Sequence, residues 1–143
     1  PDNTAIAEEE AVALTDQQKA ALDKELAAVA ADPAYLRKWN DIKQGLKNPD
    51  AYTISITPTA IEDIDAAIEY YNALAPDLGY GADIVNEGLE RIAEVPTASA
   101  IRYKNVRCKA VKRFPFIITY TIDEPGRSIN ILRVFNTYQE PMW

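Results

Sequence analysis

The most basic stretch of the chain, RYKNVRCKAVKR at residues 102–113, holds six lysines and arginines and no acidic residue. Side chains two residues apart share one face of a β-strand, and this spacing separates Arg102 from Lys104 and Arg107 from Lys109. We predict that the two pairs merge, on neighbouring strands, into one positive face that binds phosphate groups or an acidic protein target. The alternative interpretation is a solvated strand face that is balanced by acidic helices and discourages edge-to-edge aggregation.

The composition excludes several kinds of chemistry. The chain has no histidine, which removes the commonest general base and the commonest metal ligand. We therefore expect no metal site, no Ser-His-Asp triad and no cofactor. The single cysteine, Cys108, cannot form an internal disulfide, so a reducing cytoplasm is the expected location, and the residue is interpreted as a small apolar filler. No apolar run approaches the roughly 20 residues needed to span a bilayer, so we expect no membrane partner.

A first helix is predicted near the start of the chain. The pattern from Thr15 to Gln18 is that of a capping box, in which a hydroxyl residue is followed three positions later by glutamine. Leu22, Leu26 and Val29 then recur at helical spacing. The residues between them are rich in alanine, which favours a helix.

A second helix is predicted over residues 33–47, because Asp32 is a good N-cap residue and Pro33 suits the first helical position. Its apolar stripe consists of Leu36, Trp39, Ile42 and Leu46. Two short helices cannot bury this stripe between themselves. We therefore expect the second helix to dock on the rest of the chain through the stripe.

From residue 52 the pattern changes to a mixture of strands and helices. Alternating apolar positions predict a strand at 52–57, two helices follow up to about residue 94, and the alternation returns from Ile101. Asp123-Glu-Pro-Gly126 predicts a hairpin turn. The sequence thus predicts an α+β fold, in which two N-terminal helices precede a β-α-α-β-β-β domain with an antiparallel sheet packed on two helices.

Residues 52–143 resemble the RelE/ParE toxins of bacterial type II toxin–antitoxin modules. The resemblance lies in the strand YTISITP, the helix AIEDIDAAIEYYNAL, the segment IRYKNVRCKAVKRFPFIITYTIDE and the ending RVFNTYQEPMW. The FPF-x-I-x-Y element and the terminal P-x-W are typical of the ParE-like branch. The segment of about residues 14–48 is similar to the C-terminal region of small antitoxins. We therefore divide the chain into an antitoxin-like helical arm, residues 1–50, and a toxin domain, residues 51–143.

This resemblance implies a growth-inhibiting toxin of the plasmid-stabilisation kind. RelE-type members cut mRNA on the ribosome, and ParE-type members poison DNA gyrase. We expect a ParE-like inhibitor of an essential process, held neutralised by the tethered arm, with gyrase or the ribosome and its mRNA as the possible targets. The antitoxin segment is expected to act in cis or from another chain. Whether the protein forms a homodimer is left open by the sequence. The alternatives are a ribosome-dependent mRNA endonuclease of RelE type and a degenerate, non-toxic binding module.

The residues that an endonuclease of this kind needs are incomplete. The resemblance implies that RelE-type nucleases use lysines on the strand before FPF, an arginine within the FPF strand, and basic or tyrosine residues near the C-terminus. These side chains move protons and stabilise the transition state. Here Arg107 and Lys109 could stand for the lysines and Tyr138 for the tyrosine, whereas Ile117 and Ile118 lie where the arginine is expected. We therefore expect no strong RNase activity.

Overall fold

The structure is a computed structural model that describes residues 14–39, 52–74, 80–111 and 116–136. Ile42, Leu46 and Tyr138 lie outside these described residues. The helices are α1 (Asp16–Ala31), α2 (Pro58–Leu74) and α3 (Tyr80–Glu94), with short 3-10 turns at Pro33–Tyr35 and Pro96–Ala98. The strands are β1 (Arg37–Lys38), β2 (Thr53–Ile56), β3 (Ile101–Tyr103), β4 (Val106–Ala110), β5 (Phe116–Asp123) and β6 (Ser128–Asn136).

These strands form one sheet in the order β1-β2-β6-β5-β4-β3. β3, β4, β5 and β6 are joined by antiparallel pairs, and β1 is antiparallel to β2. β2 runs parallel to β6, which is possible because the two helices α2 and α3 lie in the connection after β2. The predicted α+β class, with a sheet packed on two helices, is confirmed, although the sheet is mixed rather than antiparallel throughout. The finer prediction changes, because four strands rather than three follow the helices.

Helices α2 and α3 pack on one face of the sheet. The side chains of β5 that point to this face are those of Ile118 and Tyr120, and both are buried. Gly88 permits the close approach of α3, since a Cβ atom there would lie 3.1 Å from Ile118 Cδ1. The other large members of this main core are Trp39, Ile54, Ile56, Ile64, Leu89, Ile92, Phe116, Ile129, Ile131 and Val134.

Helix α1 packs on the opposite face of the same sheet. Thr15 caps it through the predicted capping box, in which the Thr15 hydroxyl accepts from the Gln18 amide and the Gln18 side chain accepts from the Thr15 amide. Leu22 is completely buried and contacts a cluster that contains Leu132 and Phe135 of β6. Since side chains alternate along a strand, the sheet has apolar residues on both faces, and each face has its own helical cover.

The second predicted helix does not begin at Pro33. Residues Pro33–Tyr35 form a single 3-10 turn, and Arg37–Lys38 then pairs with β2 as a short strand. The Asp32 carboxylate caps this turn by accepting from the Ala34 amide. The physical reason is the free edge of β2, whose backbone groups accept a neighbouring strand more readily than a helix. Among the helices of the described part of the chain, none is long and apolar enough to cross a membrane.

Candidate functional site

The structure divides the basic segment between the two sides of the sheet. Arg107 lies opposite Tyr120 and Lys109 lies opposite Ile118, and both partners belong to the core under α2 and α3. Arg107 and Lys109 therefore point toward the α3 side. Arg107 is half-buried there and donates a hydrogen bond of 2.7 Å to the Ser99 carbonyl oxygen.

Lys104 points to the other side, toward helix α1. Its ammonium lies 2.7 Å from the Asp23 carboxylate of α1, in a contact that is about half exposed on both sides. Lys104 therefore lies on a different side of the sheet from Arg107 and Lys109. Arg102 is half-buried, and the role of Arg102, Lys104, Arg107 and Lys109 in target binding stays a prediction.

The turn between β3 and β4 brings Lys104 into this position. The residues Lys104 and Asn105 form the turn, and Lys104 has a φ of 52°. This left-handed conformation favours glycine or asparagine and is costly for lysine. The neighbouring Tyr103 donates to the same carboxylate, with its hydroxyl 2.9 Å from both oxygens of Asp23. The hydrogen bond from Lys104 and then that from Tyr103 lower the pKa of Asp23.

The sheet face under α1 is apolar at its centre. Leu22 of α1 meets Val106, Leu132 and Phe135, all of them buried, and Leu26 and Val29 pack against the same cluster. A second small cluster joins Cys108 and Ile117 to Leu14 and Ala110. Cys108 is fully buried, in agreement with its interpretation as an apolar filler. On β4 and β5 no lysine or arginine of the described residues points to this face.

A buried polar cluster lies where β2 ends and α2 begins. Arg133 donates two hydrogen bonds to the Asp63 carboxylate, at 2.7 and 3.0 Å, and the Val134 amide donates a third at 3.0 Å. Burial raises the pKa of Asp63, while the bonds from Arg133 and Val134 oppose this shift without cancelling it. Arg133 is thus committed to a partner inside its own domain.

The arm contributes to the same region through Glu25. Its carboxylate, which is buried, accepts a 2.7 Å hydrogen bond from the Tyr35 hydroxyl, and that hydroxyl also lies 3.2 Å from the Thr59 hydroxyl of α2. Burial raises the pKa of Tyr35. Side chains of the arm therefore make polar contacts with the domain through Asp23 at the β3–β4 turn and through Tyr35, which Glu25 holds, at Thr59 near the start of α2.

The predicted apolar stripe is only partly described. Trp39 is buried in the main core, in one cluster with Ile54 and Ile56 of β2, and Leu36 is half-buried. Ile42 and Leu46 lie outside the described residues, as does the weak catalytic candidate Tyr138. The role of the stripe as the contact between arm and toxin domain stays a prediction.

Sequence reasoning missed most of the side chains that join α1 to the sheet. Leu22, Leu26 and Val29 were visible as a helical repeat, but the repeat does not say which surface it covers. Asp23 and Tyr103 belong to no sequence motif that would have marked them as contact residues. Within the described ranges, no group of three or more acidic or cysteine side chains is arranged to hold a metal ion.

Six chains of solved structures resemble this chain, and two of them are compared with it below. No protein-family model matches the chain, and no curated protein matches it significantly. The chain is similar to a chain of the "Chromosomal ParDE TA system from P. aeruginosa", with a TM-score of 0.49 and 25% identity, over 57% of this chain and 91% of that one. It is also similar to a chain of the toxin–antitoxin complex RelBE2 from Mycobacterium tuberculosis, with a TM-score of 0.47 and 19% identity, over 64% of this chain and 98% of that one.

Proposed function

We propose that residues 51–143 are the toxin of a bacterial toxin–antitoxin module and that the arm, residues 1–50, neutralises it within the same chain. The observation that carries this proposal is the position of α1. Leu22 is completely buried against Val106, Leu132 and Phe135 of the sheet. An element that resembles an antitoxin segment thus covers the apolar cluster of Val106, Leu132 and Phe135 on the domain that resembles a toxin.

The contact is strong enough to keep the arm closed. Burying one large aliphatic side chain contributes roughly 1.5–3 kcal/mol, and Leu26 and Val29 add partly buried surface to that of Leu22. Because the arm and the domain belong to one chain, the domain meets the arm at an effective concentration on the order of millimolar. The arm therefore stays bound even when its own affinity is modest.

We further propose a ParE-like mode of action, in which the toxin inhibits an essential process by binding its target. The support is the chemistry of the covered face, whose centre is formed by apolar side chains such as Val106, Leu132 and Phe135. The cations Arg107 and Lys109 point to the other side of β4. A face of this kind suits a protein partner better than the cleavage of a polyanion.

The test is bacterial growth with three versions of the protein under one inducible promoter. Residues 51–143 alone should stop growth, and the full chain should not. The full chain with Leu22→Glu should inhibit growth again, because a charge on the buried side of α1 opposes closure of the arm. The matched control is Lys24→Glu, an exposed position on the same helix, which should remain harmless.

A substitution at Leu22 tests release of the arm more specifically than a substitution at Trp39 does. Trp39 packs in the main core with Ile54 and Ile56, so a charge there would disturb the packing of that core as well as release the arm. Leu22 belongs to the smaller cluster under α1. If residues 51–143 are folded, abundant and harmless, the chain is a degenerate binding module and the proposal is wrong.

A further inference from the structure

The face under α1 has an apolar centre and a polar rim, and this combination carries information about what binds there. The side chains of β4 and β5 at the centre of this face are uncharged: Val106, Cys108, Ala110, Ile117 and Thr119. On β6, Arg133 lies opposite Thr119 and 5.1 Å from the centre of the Phe135 ring, and it is held by Asp63. A nucleic-acid backbone is bound chiefly by lysine and arginine contacts to phosphate, and β4 and β5 offer no lysine or arginine on this face among the residues described.

The β3–β4 turn supplies the polar part of the rim. Tyr103 and Lys104 together hold the Asp23 carboxylate, at 2.9 Å from the phenol and 2.7 Å from the ammonium. Lys104 does so from a left-handed backbone conformation, with φ at 52°. Strained residues of this kind persist where the surroundings or a function require them, and they are common at binding sites.

The occupant seen in the structure shows which ligand fits. On α1, Leu22 enters the apolar centre while the next residue, Asp23, reaches the turn, and Leu26 and Val29 continue the apolar contact. The recognised pattern is therefore an amphipathic helix with a carboxylate directly after its most buried leucine. Apolar anchors at i, i+4 and i+7 are typical of a helix bound in a groove.

From these observations we propose that this face recognises an acidic amphipathic helix of a target protein, and that α1 occupies it as a competitor with the same pattern. The Tyr103–Lys104 turn binds the carboxylate of the target helix, and the apolar centre of the face binds its leucine. This inference rests on the proposed function, because it assigns the chemical class of the target: a protein helix rather than RNA. Release of the arm and binding of the target are then alternative occupations of one surface.

The test uses the full chain with its arm opened by Leu22→Glu and Leu26→Glu. One probe is a fluorescein-labelled helical peptide that keeps leucine, aspartate, leucine and valine at the spacing of residues 22, 23, 26 and 29 on an alanine, lysine and glutamate background. The other probe is a labelled 20-nucleotide polyuridine RNA. By fluorescence anisotropy, the opened chain should bind the peptide at least ten-fold more tightly than the unmodified chain does, and more tightly than it binds the RNA.

A charge exchange tests the role of the turn. In the opened chain, Lys104→Glu should weaken peptide binding at least five-fold, and a peptide with lysine in place of its aspartate should recover most of that loss. Arg91→Glu, at an exposed position on α3, is the matched control and should change nothing. A helix that bound only through its apolar side would be insensitive to both the substitution and the exchange.

Several results would overturn the inference. These are tighter binding of RNA than of peptide, peptide binding that Lys104→Glu does not weaken, and an opened chain whose face is filled by the arm of a second copy, seen as a dimer by sedimentation. If the opened chain does not fold by circular dichroism, the same titrations are made on the unsubstituted chain cut at a protease site inserted after Asn48, where the peptide must displace the arm. Growth inhibition without helix binding contradicts only this inference, whereas helix binding without growth inhibition contradicts only the proposed toxicity.

Discussion

At the scale of single residues, the Asp63–Arg133 pair is a buried ion pair whose loss should destabilise the domain. The side chains are 4% and 13% exposed, so removing the charge of one partner leaves the other buried without compensation. We predict that Asp63→Asn lowers the free energy of unfolding by about 3–5 kcal/mol, measured by urea denaturation. Asp65→Asn, at an exposed position on the same helix, should change it by less than about 0.5 kcal/mol. Equal effects of the two substitutions would contradict this assignment.

The Asp23–Lys104 contact should make the stability of the closed arm depend on pH. The pKa of Asp23 is lower in the folded chain than its ordinary value of 3.8, so its contribution is present above that value and is lost as pH falls through it toward the folded pKa. We predict that unmodified chain and Asp23→Asn differ in urea stability at neutral pH and converge in acid. Salt should reduce the difference, because the pair is about half exposed. A difference that is constant with pH would show that the carboxylate charge has no part in it.

The sequence shows where the cations of the basic segment lie along the chain, but it does not show to which face of the sheet each side chain points. The pairing of β3 with β4 is irregular between Ile101 and Tyr103, and the turn then places Lys104 at a positive φ. A shift of one residue moves a strand side chain to the other face of the sheet. Spacing alone therefore could not predict that Lys104 faces α1 while Arg107 and Lys109 face α3.

At the scale of elements, the predictions that held were those with a local chemical signal. Thr15 with Gln18 marked the start of α1, and the turn predicted at Asp123-Glu-Pro-Gly126 does separate β5 from β6. The prediction of a helix that begins at Pro33 was wrong because the structure of this segment depends on a contact with residues that are distant in the sequence. Leu36 and Trp39 fit a helical spacing, but Arg37–Lys38 pairs with β2, a strand more than a dozen residues away.

The segment from β1 to Trp39 should act as the second attachment of the arm. Trp39 is only 3% exposed and lies in the main core with Ile54 and Ile56. We predict that Trp39→Ala lowers the free energy of unfolding by about 3–5 kcal/mol, the usual cost of emptying a buried aromatic site. Leu36→Ala, at a half-buried position, should cost less than half as much by the same urea measurement. A small effect of Trp39→Ala on the free energy of unfolding would mean that this segment contributes little to the stability of the folded chain.

At the scale of the whole molecule, the prediction from sequence that Arg107 and Lys109 contact the target adds a second surface, on the side of the sheet opposite the face under α1. Arg107 and Lys109 neighbour each other along the α3 side of β4. We predict that Arg107→Glu with Lys109→Glu abolishes growth inhibition by residues 51–143 while thermal unfolding stays cooperative. Full inhibition by this double variant would remove both residues from the mechanism. Loss of cooperative unfolding would instead show that the bond from Arg107 to the Ser99 carbonyl supports the fold.

The distribution of charge over the two faces also argues against RNA cleavage. A nuclease without histidine needs several cations around the scissile phosphate to move protons and to stabilise the transition state, yet Lys104 faces one side of the sheet and Arg107 and Lys109 face the other. We predict that residues 51–143, incubated with translating ribosomes, leave the message intact for as long as an added RelE-type nuclease takes to cut it in a parallel reaction. Primer extension on the recovered mRNA makes the comparison. Codon-linked cleavage that disappears in the Arg107→Glu and Lys109→Glu variant would establish the nuclease instead, and it would place the working surface on the α3 side of β4.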